Sequence, residues 1–180
     1  MSEPIKKKKS AAMRVCMTAV FAAIACVCTF IAVPLPIGYF NLGDIFVILA
    51  AYFIGPIYGA VAAGVGTALA DFLMGYVTYV PATLIIKALM ALVAYGVYRA
   101  IKFAIKSRKL DFIPRLVAAL AAETVMVGGY FLFEALILGF GMGAAASLVG
   151  NAIQAAAGIL GSTLISSAVY SSKLYEENFK

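Results

Sequence analysis

Residues 38–76 read GYFNLGDIFVILAAYFIGPIYGAVAAGVGTALADFLMGY. The fold turns on the apolar run at 45–54, which as a helix is only about 15 Å long and is closed by Gly55 and Pro56. Such a run is either a short membrane crossing or a re-entrant segment. Charge decides between them. Of the 14 Lys and Arg, five lie in the N-terminal arm (Lys6, Lys7, Lys8, Lys9, Arg14), six between residues 99 and 115, and two in the tail (Lys173, Lys180). Only Lys87 falls elsewhere. Basic clusters beside spans stay on the cytoplasmic face, so an even number of crossings must separate them. Without a crossing at 45–54 the 99–115 cluster would lie outside; the run is therefore read as a short span.

Outward from that run, spans are expected at about 12–33, 44–54, 57–75, 81–103, 114–138 and 144–170. Pro34 and Pro36 end the first, because proline forbids continued helical hydrogen bonding. The expected fold is an all-α membrane protein, a six-helix transmembrane bundle with both termini cytoplasmic. It divides into a basic arm (1–11), a membrane domain (12–171) and a cytoplasmic tail (172–180). The 34–43, 75–80 and 139–143 connections then share the external face. Composition agrees: 64% of the 180 residues are hydrophobic and 12% charged, against about 25% charged in soluble domains, and mean hydropathy is +1.03. The stretch after the lysines is too long for a signal peptide and no clear small-residue cleavage site follows it, so it is expected to remain as a helix.

Composition also excludes. The net charge of +6 sits in clusters beside apolar runs with no interleaved base-reading motif, which points to lipid headgroups or partner proteins and not to nucleic acid. The absence of histidine removes Ser-His-Asp triads, His proton relays and His-based metal sites. Cys16, Cys26 and Cys28 lack a usable metal spacing and read as small packing residues. There is no G-x-x-x-x-G-K-[ST] phosphate loop, H-E-x-x-H or G-x-S-x-G. No enzyme activity, metal or cofactor is expected.

Ionisable side chains inside a bilayer are costly and mark function or pairing. Asp44, Asp71, Lys87 and Glu134 fall in the outer half of the expected spans, with Asn151 at similar depth in the last one. Five helices thus send polar groups toward one end, the pattern of an outward-facing pocket. Two structural alternatives stand beside it: Asp44 as a cap of its helix, and an internal Asp71–Lys87 ion pair. Glu123 and Glu134, 11 residues apart, share a helix face with Val127 and Tyr130 between them, but lie roughly 16 Å apart along the axis. Glu134 and Tyr130 are therefore pocket candidates, while Glu123 is a pocket floor, a helix lock or a proton-linked group. Ser147, Asn151 and Gln154 follow i, i+4, i+7 spacing. The amides of Asn151 and Gln154 suit a heterocycle's donors and acceptors, or tie helices together. Ala19 and Ala23 make an A-x-x-x-A pair that allows close helix approach, whereas Ala60, Gly64 and Ala68 are expected to pack internally.

The NLGD segment (Asn41 to Asp44), the F-x-G-P turn (Phe53 to Pro56), the ALAD segment (Ala68 to Asp71) and TLIIK (Thr83 to Lys87), with the basic N-terminus and A-x-x-x-A helix, resemble the substrate-binding S component of energy-coupling factor (ECF) transporters. The resemblance covers essentially the whole chain. It implies a six-helix S-component bundle in a bacterial cytoplasmic membrane, with a ligand pocket near the external face. It implies as partners a membrane coupling (T) protein and two cytoplasmic ATPases, with Ala19 and Ala23 on the docking surface. The substrate-binding candidates are Asn41, Asp44, Asp71, Lys87, Tyr130, Glu134, Asn151 and Gln154. Among S components the chain is most similar to the branch assigned to hydroxymethylpyrimidine, pyridoxine or queuosine/queuine. Two acids with one lysine favour a neutral or cationic ligand. The alternatives are a proton-coupled secondary carrier using Glu123 and, last, a small membrane enzyme or scaffold.

Overall fold

The computed structural model describes residues 10–34, 39–105 and 110–171. The lysine arm at 6–9, the basic residues Lys106, Arg108 and Lys109, and the tail lysines lie outside the described residues.

Among the described residues six α-helices follow in order: α1 (Ala11–Phe30), α2 (Gly43–Ile54), α3 (Pro56–Leu73), α4 (Val80–Ala104), α5 (Phe112–Leu132) and α6 (Leu148–Ser171). A two-residue antiparallel pair, β1 (Val33–Pro34) with β2 (Tyr39–Phe40), is the only strand structure among the described residues. The described residues form a helical bundle in which five helices are long and apolar enough to cross a membrane.

Ser10 starts α1 by accepting the Met13 N–H on its hydroxyl at 3.2 Å, which satisfies one of the first-turn donors. The helix ends at Phe30, three residues before the expected boundary at 33, because Ile31 leaves helical geometry and the chain turns into β1. Proline sits in the first turn of α3, α4 and α5, where its missing N–H has no helical acceptor to lose.

The short helix α2 is the centre of the bundle. Eight of its 12 residues are buried, and α1, α3, α4 and α6 all pack against it. Its length of about 18 Å falls short of a roughly 30 Å hydrocarbon core. A helix apolar on every side belongs inside a protein, which is where Val47, Ile48 and Ala51 lie, with no solvent exposure. Gly55, at φ 89°, makes the sharp reversal into α3 that other residues rarely adopt.

Small residues set the helix spacing. A Cβ at Gly66 would overlap the Ala22 carbonyl of α1, and one at Gly64 would lie 2.7 Å from the Leu84 carbonyl of α4. Ala60, Gly64 and Ala68 are all buried, consistent with internal packing. The outer surface is apolar, with Ile57, Phe103, Leu136, Ile137 and Leu164 each more than two-thirds exposed, as a lipid-facing bundle requires.

One end of the bundle is tied shut. Arg115 near the start of α5 is 2% exposed; its guanidinium lies 4.1 Å from the Tyr170 ring centroid and pairs with Asp111, which also holds Lys102. Tyr52 donates to the Arg115 carbonyl at 3.0 Å, and Tyr170 donates to the Tyr52 carbonyl at 3.3 Å. These contacts join α2, α4, α5 and α6 with aromatic and ionic links.

Candidate functional site

At the opposite end, where α1, α3 and α5 finish and α2, α4 and α6 begin, the bundle opens into a cavity of about 520 Å³. That volume falls within the range of small-molecule sites. Of the eight substrate-binding candidates, Asn41, Asp71, Lys87, Tyr130, Glu134, Asn151 and Gln154 line it. Asp44 does not; it stands behind Lys87 and Gln154, 1% exposed.

The floor is a connected polar chain. Lys87 Nζ forms a buried ion pair with Asp44 Oδ1, and Gln154 Nε2 donates to Asp44 Oδ2 at 2.6 Å. Asn41 Nδ2 donates to Gln154 Oε1 at 2.8 Å, while Asn41 Oδ1 accepts the Gly43 N–H at 2.9 Å. Two of the expected alternatives therefore change. Lys87 pairs with Asp44 and not with Asp71, and Asp44 makes no side-chain cap of α2. Asp44 sits in the first turn of the most enclosed helix, where α4 brings an ammonium to it directly.

Asp71, near the end of α3, accepts the Thr83 hydroxyl on Oδ2 at 2.5 Å. Thr83 Oγ1 has one proton and gives it to Asp71, so Tyr130 OH, 2.8 Å away, is the donor in their contact. The Lys87 ammonium lies 5.4 Å from the Tyr130 ring centroid, within cation–π reach.

Glu134 is placed by a change in helix type. Residues Phe133–Ile137 form a π-turn, with the Leu138 N–H on the Phe133 carbonyl at 3.0 Å. π-Turns recur at functional sites because they re-aim one side chain. Gly139, at φ 75°, then closes the helix and lets the Phe140 N–H reach the Glu134 carbonyl at 3.0 Å. The Glu134 carboxylate accepts Ser147 Oγ at 2.5 Å and Tyr79 OH at 3.3 Å. Ser147 ends the 3₁₀ turn Gly141–Ser147, which replaces the expected helical start of the sixth span at 144.

Tyr76, Tyr79 and Phe140 complete an aromatic wall, and Thr29 and Thr83 also line the cavity. None of these was among the expected substrate-binding residues. Tyr79, Thr83 and Lys87 lie four residues apart, one face of a helix, which was a readable signal. Thr29, a lone hydroxyl in an apolar run, offered none.

The charge balance is uneven. Lys87 and Asp44 neutralise each other, leaving Asp71 and Glu134 as two acids on the wall. The Asn151 side chain makes no hydrogen bond among the described residues and lines the cavity. The arrangement suits a ligand with several N–H or O–H donors and a flat ring for the tyrosines.

Two further expectations have definite places. Glu123 does not line the cavity; it is 1% exposed beneath the floor. Ala19 and Ala23 are exposed on α1, whereas Ala25 and Thr29 of the same helix are buried against the bundle.

An apolar helical bundle with an acceptor-lined cavity at one end has the form of a membrane solute-binding protein. Residues 9–171 match the family model described as ECF-type riboflavin transporter, S component, and the chain belongs to the S-component family of ECF transporters. It is also 34% identical over 130 residues to an uncharacterized protein in the gap 3′ region of Pyrococcus woesei, covering 72% of this chain and 81% of that protein. The chain is thus a multi-pass membrane protein and a substrate-binding subunit of the ECF type. S components partner with a T protein and ATPases and bind small-molecule substrates.

Proposed function

We propose that this S component captures a small, nitrogen-containing aromatic heterocycle, neutral or cationic, from outside the cytoplasmic membrane. It passes that ligand inward by docking on a T protein and two ATPases. The observation that carries the reading is the cavity itself: two carboxylates, Asp71 and Glu134, with the Asn151 amide and a tyrosine-rich wall. Carboxylates accept the amino or hydroxyl protons of such a ring, and the tyrosines stack on its face. Hydroxymethylpyrimidine, pyridoxine and queuosine/queuine types all carry this chemistry.

The positive-inside rule puts the basic clusters in the cytoplasm and hence the cavity outside. The Arg115 cluster closes the other end, which supports a capture subunit over a self-sufficient carrier with two gates. Exposed Ala19 and Ala23 offer a flat strip for the T protein. ATP hydrolysis belongs to the partners, so the chain itself is not an enzyme in this reading.

A second substrate reading is riboflavin, favoured by the family description of the match. Its ring and hydroxylated side chain also present donors to two carboxylates. The test is a binding panel of hydroxymethylpyrimidine, pyridoxine, queuine and riboflavin on purified protein without ATP or partners. One compound is expected to bind; uptake of that compound by the chain alone in liposomes, at full rate, would refute the capture role.

A further inference from the structure

Glu123 projects from α5 into the interior among Ala119, Ala122 and Met126, each with no solvent exposure. Neither carboxyl oxygen has a hydrogen-bond partner in the described structure. Across from it α6 presents Gly158, where a Cβ would overlap Glu123 Oε1 and lie 3.3 Å from the Asp44 Cβ. The carboxyl therefore touches bare helix backbone and sits beside a second acid.

The ionisable groups around it are few. Asp44 faces it from α2 and Lys87 from α4, while the described part of α6 has only Tyr170, far along toward the other end. On α5 itself the nearest are Tyr130 and Arg115, each about two turns away. Asp71 of α3 is held by Thr83. Asp44 takes both available donors, Lys87 Nζ and Gln154 Nε2. Two carboxyl groups thus share a single ammonium, and all the hydrogen bonding goes to one of them. An ionised carboxylate without donors, next to another carboxylate, is not tolerated in such surroundings. The uncharged acid is.

We propose that Glu123 is a proton-binding site, filled near neutral pH, whose proton keeps the Lys87–Asp44 pair intact at the floor of the cavity. Release of that proton to solvent creates a second anion that competes with Asp44 for Lys87 and repels Asp44. Because Asp44 holds Gln154, and Gln154 holds Asn41, the disturbance reaches three residues of the cavity wall. Proton and ligand occupancy are then linked, each favouring the other.

Infrared spectroscopy on the purified full chain tests the site without a ligand. A protonated-carboxyl carbonyl band is expected near neutral pH, absent from Glu123→Gln and Glu123→Leu, and vanishing as pH rises. Thermal stability of the wild-type protein should fall as pH rises above the ordinary carboxylate range, because the folded state keeps a proton that the unfolded state has lost, and should level off where the band vanishes, while Glu123→Gln, neutral at every pH, should not follow. Absence of the band, or identical stability profiles for the wild-type protein and both variants, overturns the proposal. Only a third arm rests on the capture function proposed above: the affinity for the panel compound that binds should drop about tenfold per pH unit once the band is gone. If no panel compound binds, that reading fails while the band and the stability profiles still decide the proton site.

Discussion

The ammonium of Lys87 on α4 is bound to Asp44 on α2, and the pair is buried to within a few per cent of full enclosure. This contact anchors the central short helix to the helix that begins just after Tyr79 and carries Thr83, so the floor of the cavity and the middle of the bundle are one structure.

Removing one partner strands the other charge in the interior. Lys87→Met or Asp44→Leu should each destabilise the protein by about 3–5 kcal/mol, and the double variant by much less than the sum. Denaturation in mild detergent, run as a double-mutant cycle, measures this. Additive losses would show that the two charges do not depend on each other.

Asn151 offers the cleanest probe of ligand contact, since its amide serves no other described group. Asn151→Ala should weaken ligand binding by about 1–3 kcal/mol, the range of a lost buried hydrogen bond, with thermal stability unchanged. Asp71→Ala and Glu134→Ala should weaken binding similarly but also loosen Thr83 or Ser147. Isothermal titration with the bound compound reads all three, and unchanged affinity throughout would place the site elsewhere.

A bulky ring on the exposed strip of α1 should leave the cavity untouched. Ala19→Trp and Ala23→Trp are expected to bind ligand normally yet fail to co-purify with the T protein and ATPases. Retained complex formation would remove these positions from the docking surface.

At the closed end, Arg115→Met should destabilise the fold by about 1–3 kcal/mol, because Asp111 keeps Lys102 but loses its buried partner, and Tyr170 loses its cation. Ligand affinity should stay within twofold at temperatures where the variant is folded. A selective loss of affinity would mean that the two ends are coupled.

Much of this architecture was legible before any coordinates. The apolar run at 45–54, closed by Gly55 and Pro56, marked a short helix of its own, and the depths of Asp71, Lys87, Glu134 and Asn151 pointed to one end of the bundle. Partner choice was not legible: Asp71 and Asp44 are both plausible anions for Lys87 by depth, and only the position of α2 inside the bundle selects Asp44. Nor does FEALI at 133–137 announce a π-turn, since each of its residues suits an ordinary α-helix. The turn is followed at once by Gly139, at φ 75°, and the 3₁₀ segment Gly141–Ser147. Tyr79 and Thr83 were missed for another reason. Uncharged hydroxyls cost little in an apolar run, so they attract less notice than a buried charge.

The central claim is that this chain alone holds a donor-rich heterocycle in the Asp71–Glu134 cavity. Mass spectrometry of small molecules released from protein purified in mild detergent tests it most directly, with the Asp71→Ala/Glu134→Ala variant and empty membranes as controls. The account predicts close to one equivalent of a pyrimidine, pyridine, deazapurine or flavin from the wild-type protein and none from the controls. No retained compound, together with no thermal shift from any member of the panel, would contradict it.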